Sequence, residues 1–271
     1  METLSPQARS IAASSSDIRP PSPVLLALYQ MSVRLRLGWN FRSLRIANAE
    51  RFPTDAQPLI VFMNHPSWWD PAPSMLLHHE FRPTGRLFAP VDEAALARAG
   101  YLRRLGFFPI RTGSVSGARK FLNDARHLLG IPGAVLWVTP EGEFTDPRER
   151  PLRLRRGLAK LISTLDEVTI LPMALEYPFW DGTRPEILTS FGEPIFIRDG
   201  RAKTTAEWQR ILAQSLTDTQ DELAELVVAR QANRFRVLFF GPLGVRGLLR
   251  QLRDMKPLFT KRLPGKTKGQ P

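Results

Sequence analysis

Several short runs along the chain are apolar at all or nearly all positions rather than at alternate ones. Leu59–Met63 reads LIVFM, Ala134–Val138 reads AVLWV, and 168–174 reads VTILPMA. Uninterrupted runs of this length fit strands covered on both faces, as in a parallel sheet. Weaker strand candidates are 44–47, 86–90, 107–111 and 186–191. Between the runs the spacing changes to that of helices. In 114–129, Val115, Ala118, Phe121, Leu122, Ala125, Leu128 and Leu129 fall on one face, and Gly130 and Pro132 stop the pattern. In 205–230, Trp208, Ile211, Leu212, Leu216, Leu223, Leu226 and Val227 form a second stripe, with Thr205 as its expected cap. Shorter helices are expected at 71–79, 92–98 and 158–165. Strands alternating with helices predict an α/β fold, a mixed and largely parallel sheet flanked by helices.

The ends differ from this middle. Residues 1–22 are small, polar and Pro-rich, and read as a disordered N-terminus without the basic and apolar blocks of a secretory signal. Residues 23–40 form an amphipathic helical element in which Leu and Trp alternate with Arg34 and Arg36. It is too short and too charged to span a bilayer, so it either lies in a membrane interface or packs on the domain. A domain over 41–232 follows, then a basic amphipathic segment and tail over 233–271.

Composition narrows the chemistry. The 271 residues contain no cysteine, which removes thiol nucleophiles and disulfides. The net charge of +12 reads either as solubility and a basic surface or as affinity for nucleic acid, an anionic membrane or an anionic substrate. Zinc-finger spacings, ribonucleoprotein motifs and Gly-rich phosphate loops are missing from the sequence, so a membrane surface with anionic lipid is a better expectation than nucleic acid. His78 and His79 are adjacent on a predicted helix and point apart, which makes a poor metal set with His65.

The most informative stretch is Asn64-His65-Pro66-Ser67-Trp68-Trp69-Asp70, directly after the LIVFM run. Pro66 stops the strand, so His65 leaves the sheet at its carboxyl end, where open α/β sheets bind their ligands. A neutral imidazole there can take a proton from an alcohol, and a carboxylate on its other nitrogen fixes the tautomer and stabilises the imidazolium. Spacing alone is equally compatible with a strand-end His followed by an Asp that caps the next helix.

This block resembles the first motif of the glycerolipid acyltransferases, and three later blocks resemble further motifs in the family's order, over roughly residues 55 to 195. Phe107-Phe108-Pro109-Ile110-Arg111 after Gly106 is similar to the second motif, whose Arg is held to bind the acceptor phosphate. Pro140-Glu141-Gly142 is similar to the third. There Glu141 contacts the acceptor or orients the site, and Gly142 permits close backbone approach. Leu171-Pro172 is similar to the fourth, with Pro172 expected to break the ladder and line an acyl pocket. The resemblance implies catalytic residues His65 and Asp70 and substrate-binding residues Arg111, Glu141 and Gly142. It also implies transfer of a fatty acyl group from an acyl thioester, acyl-CoA or acyl-carrier protein, to a lipid alcohol, without metal or cofactor. The expected location is peripheral, on the cytoplasmic face of a membrane. One departure matters: where the third motif continues Thr-Arg, this chain has Glu143-Phe144. A phosphate-binding Arg is missing, which keeps a non-phosphate acceptor open, as well as a silent membrane-binding protein. Arg148, Arg150, Arg153, Arg155 and Arg156 follow, and one of them could replace it.

Overall fold

The computed structural model describes residues 23–54 and 58–241. The expected disordered N-terminus and most of the basic C-terminal tail lie outside these residues. A helix, α1 (Pro23–Asn40), leads into β1 (Ser43–Ala47) and β2 (Leu59–Met63). Three strand–helix units follow: α2 (Pro71–Phe81) to β3 (Arg86–Asp92), α3 (Glu93–Arg98) to β4 (Phe107–Ile110), and α4 (Val115–Leu129) to β5 (Ala134–Val138). Then come α5 (Gly157–Ile162), β6 (Val168–Glu176), β7 (Ile187–Phe191), β8 (Ile195–Ile197), α6 (Thr205–Val228) and β9 (Arg236–Phe240).

The strands form one mixed sheet in the order β4-β3-β5-β2-β6-β7-β1-β9, with β8 also paired to β6. Strands β4, β3, β5, β2 and β6 run parallel. β7 turns antiparallel to β6, and β9 antiparallel to β1. This is the mixed, largely parallel sheet that the apolar runs predicted. All five residues of β2 and all five of β5 are buried, because helices cover both faces. On one face Ile60 and Phe62 of β2 meet Phe121, Leu128, Leu158 and Leu212 from α4, α5 and α6. On the other, Val61 and Met63 meet Met75 and Leu77 of α2 and Leu96 of α3. The neighbours β2 and β5 therefore send their chains to opposite faces, which opens a crevice at their carboxyl ends.

Local chemistry sets the boundaries. Ser114 caps α4 by accepting from the Gly117 N–H at 3.0 Å, and Asp92 caps α3 by accepting from Ala94 and Ala95. The cap of α6 is Thr204 rather than Thr205. Its hydroxyl accepts from the Glu207 N–H while Glu207 reaches back to the Thr204 N–H, a capping box. Gly106 adopts φ +95°, and a Cβ there would lie 2.0 Å from the Leu87 carbonyl oxygen, so only glycine lets β4 start beside β3.

One strand expectation is corrected. Pro172 does not break β6, which runs unbroken through it opposite Phe62 of β2. A strand residue turns its N–H and C=O to the same neighbour. The Pro172 carbonyl accepts from Gly192, so the missing N–H faces the turn between β7 and β8 and takes no bond from the β2 ladder. Within the segment expected to be basic and amphipathic, Arg236–Phe240 forms β9, which pairs with β1 at the edge of the sheet.

Helix α1 packs inward through Val33 and Leu37, against Leu44, Leu76 and Leu175. Its outer face carries a second apolar stripe, Val24, Leu28, Met31, Leu35 and Trp39, all exposed. Among the described residues no helix is long and apolar enough to cross a membrane.

Candidate active site

The chain leaves β2 at Met63 through Asn64, whose buried side chain fills the next rung of the ladder. Its carboxamide oxygen accepts from the Leu175 N–H at 2.9 Å, and its amide donates to the Leu175 carbonyl at 3.0 Å. The backbone is thus free to turn while β6 continues, and the turn presents His65. Asp70 returns to it five residues later. His65 Nδ1 and Asp70 Oδ2 are 2.6 Å apart, and the same oxygen accepts from the Ser67 N–H at 3.2 Å. Asp70 directly precedes α2, but its side chain makes no capping bond to that helix. The Asp70 side chain thus faces His65 instead of capping α2. With a carboxylate at Nδ1, that nitrogen carries the proton and Nε2 is left as the basic nitrogen.

Asp70 is 0% exposed, and a residue that the sequence did not single out completes its shell. Tyr177, one position past β6, donates its hydroxyl to Asp70 Oδ1 at 2.6 Å. Burial, with the Asp70 charge next, pushes the Tyr177 hydroxyl well above the ordinary phenol range, so it remains a donor. Its ring packs on Phe41, which also meets Trp69 edge-on. A tyrosine beside a strand end carries no spacing signal, and only the pairing of β2 with β6 brings it to Asp70.

Glu141 lies behind the cavity wall. It is 3% exposed and absent from the cavity wall, so it is not placed to touch an acceptor. Its carboxylate accepts from the His65 backbone N–H at 2.6 Å, while the His65 carbonyl accepts from the Thr145 N–H. The loop after β5 therefore clamps the His65 main chain from both sides. Burial raises the Glu141 pKa above the usual carboxylate range, against the pull of the His65 N–H. Gly142 does line the cavity, at φ +70°, and a Cβ there would lie 2.2 Å from Arg155 Nε. Arg155 uses that space, donating to the Glu141 carbonyl at 3.2 Å.

The pair opens onto a cavity of about 740 Å³ whose inner wall is Met63, Met75, Leu87, Phe107 and Trp137. Most of a ligand there would be apolar. Exposed Trp68 and Phe144 stand at its rim, the latter 4.5 Å from the His65 ring between centroids. Arg111, exposed, also lines the cavity and pairs with Glu93 at 2.7 Å. Within the downstream basic run the structure discriminates: Arg148 is taken by Asp146 and Arg150 by Asp221, whereas Arg155 and Arg156 reach the cavity wall together with Glu143. His78 lies apart, buried against Trp137 and the Gly85 carbonyl, with its pKa pushed down to about 4 by burial.

Residues 43–176 match the family model described as Acyltransferase. No curated protein matches the chain in sequence. The crystal structure of the 1-acyl-sn-glycerophosphate (LPA) acyltransferase PlsC from Thermotoga maritima is similar at 18% identity, over 73% of this chain and 79% of that one, with a TM-score of 0.49. The matched segment, just under half of the chain, contains His65, Asp70, Arg111, Glu141 and Gly142, and in it the chain is similar to the acyltransferase family.

Proposed function

We propose that the protein moves a fatty acyl group from an acyl thioester, acyl-CoA or acyl-carrier protein, to the hydroxyl of a lysophospholipid or other lipid alcohol. The observation that carries this reading is the His65–Asp70 pair, 2.6 Å apart, at an apolar cavity large enough for a lipid chain. His65 Nε2 takes the proton as the acceptor oxygen attacks the thioester carbonyl carbon. The tetrahedral intermediate collapses, the C–S bond breaks, and the imidazolium returns its proton to the departing thiolate. Asp70 holds the tautomer and balances the imidazolium charge. The usual Gly-x-Ser-x-Gly nucleophile motif is absent from the sequence, which favours direct attack. The protein works at the cytoplasmic face of a membrane, held peripherally by the outer stripe of α1 and by basic residues facing anionic lipid.

A second reading concerns the acceptor. Phe144 occupies the place of the third-motif Arg and covers His65, and Glu143 adds a carboxylate to the wall. Losing one charge-assisted contact of about 1.5–3 kcal/mol weakens a phosphate-bearing acceptor by roughly one to two orders of magnitude. The acceptor is then a glycolipid, terpenoid, amino-acid lipid or other non-phosphate alcohol, unless Arg155 or Arg156 compensates. The test is acyl transfer with both donor types and a panel of acceptors, read by mass spectrometry, for the wild type and His65→Ala. General-base loss lowers turnover about 10²–10⁴-fold. Wild-type turnover in folded His65→Ala refutes the base. A preference for lysophosphatidic acid over every other acceptor refutes the second reading.

A further inference from the structure

We propose that Tyr177 is a positioning residue of this site, its hydroxyl fixing the Asp70 carboxylate in the orientation that serves His65. The inference rests on the acid–base reading of His65 and goes beyond it.

Asp70 is fully buried and receives three donors. Oδ2 takes the His65 and Ser67 N–H groups, and Oδ1 takes the Tyr177 hydroxyl. With both oxygens engaged, the carboxylate cannot rotate to exchange them. The placement of Tyr177 follows from the sheet. The β2–β6 ladder ends at Met63 opposite Met173, and Asn64 carries the pairing on to Leu175 through its side chain. Two residues further, the chain delivers Tyr177 beside the turn that ends in Asp70. Phe41 packs on the ring and is itself met edge-on by Trp69.

Removing the hydroxyl leaves Oδ1 buried without its donor. The carboxylate charge, less neutralised, attracts the His65 proton more strongly, so the imidazole becomes more basic and a smaller share of it is neutral at a given pH. The titratable groups that face the pair are Glu141 and Glu143 after β5, Arg155 and Arg156 before α5, and Asp92 and Arg111 across the cavity. Tyr177→Phe changes none of them.

The experiment compares wild type, Tyr177→Phe and His65→Ala by the pH profiles of kcat and by an NMR titration of the His65 ring. We expect Tyr177→Phe to lower kcat about tenfold, the scale of one hydrogen bond to a charged group, with KM little changed. The acid limb and the His65 titration both move to higher pH. Incorporating 3-fluorotyrosine, a stronger donor, moves them the other way and serves as the second probe if Tyr177→Phe fails to fold. An unmoved His65 titration overturns the proposal, and so does a fall in kcat that only tracks a fall in Tm. Because the titration is read without turnover, it judges Tyr177 separately from the base: full activity in His65→Ala sinks the base reading, whatever the ring titration shows.

Discussion

Asp70→Asn replaces a carboxylate by an amide that has one accepting oxygen and one donating nitrogen. The structure decides which way the amide points. At the Oδ2 position two donors converge, His65 Nδ1 at 2.6 Å and the Ser67 N–H at 3.2 Å. At the Oδ1 position stands a hydroxyl, which can turn to accept. The amide oxygen therefore takes the Oδ2 place and its nitrogen faces Tyr177. In this arrangement His65 keeps the right tautomer and loses the charge that balances its imidazolium. A lost ionic hydrogen bond of about 3 kcal/mol lowers kcat roughly 10²-fold. The reversed amide would force the proton onto Nε2 and cost about 10⁴, as in a mis-tautomerised triad. We expect a loss of about 10²–10³ in kcat with KM nearly unchanged. The double variant with His65→Ala should be no worse than His65→Ala alone, since the two residues act as one unit. Single-turnover transfer at saturating donor and acceptor, beside a melting curve, measures this. Turnover within about threefold of wild type would show that Asp70 acts only as a structural neighbour of α2.

Two further outcomes are expected. Because burial raises the Glu141 pKa in the folded protein, its share of stability is present at low pH and is lost as pH rises from the unfolded value through the folded one. Glu141→Gln, which can still accept from the His65 N–H, should therefore melt above wild type at neutral pH, about 2–4 °C for each kcal/mol, with the gap closing toward pH 4. Its kcat should nonetheless fall, and a gap that widens on acidification would contradict the sign. On α1, Leu28→Glu and Leu35→Glu change exposed positions, so the fold should hold while vesicle binding weakens about tenfold or more, given roughly 1.5–3 kcal/mol per buried leucine. Binding to anionic vesicles should also fall with salt. Cosedimentation reads both effects, and binding indifferent to the stripe would count against α1 as the contact.

Much of this was legible in local pattern. The apolar runs of β2 and β5 declared strands buried on both faces, and Pro66 declared the turn that carries His65 out of the sheet. What pattern could not supply was partnership between distant segments. Glu141 sits in a motif that implies substrate contact or orientation of the site, and only the pairing of β5 with β2 shows its carboxylate on the His65 main chain. Tyr177 is 107 residues from Asp70 and only the parallel pairing of β6 unites them. The run Arg148 to Arg156 looked uniform until Asp146 and Asp221 claimed two of its members. β9 escaped because an edge strand covered on one side has neither a fully apolar run nor clean alternation, and its partner β1 lies almost two hundred residues away.

The contact between Gly142 and Arg155 ties together the histories of two positions. Where other chains could vary a loop glycine and a downstream arginine one at a time, here a side chain at 142 collides with the guanidinium stem and also meets a backbone that glycine alone adopts easily. Shortening Arg155 relieves the first obstacle and not the second. Position 155 can change alone and leave a gap under the loop, while a side chain at 142 must push the end of Arg155 aside and carries the cost of the φ +70° backbone whatever stands at 155. A drift in substrate preference that passes through this corner of the cavity is freer at 155 than at 142.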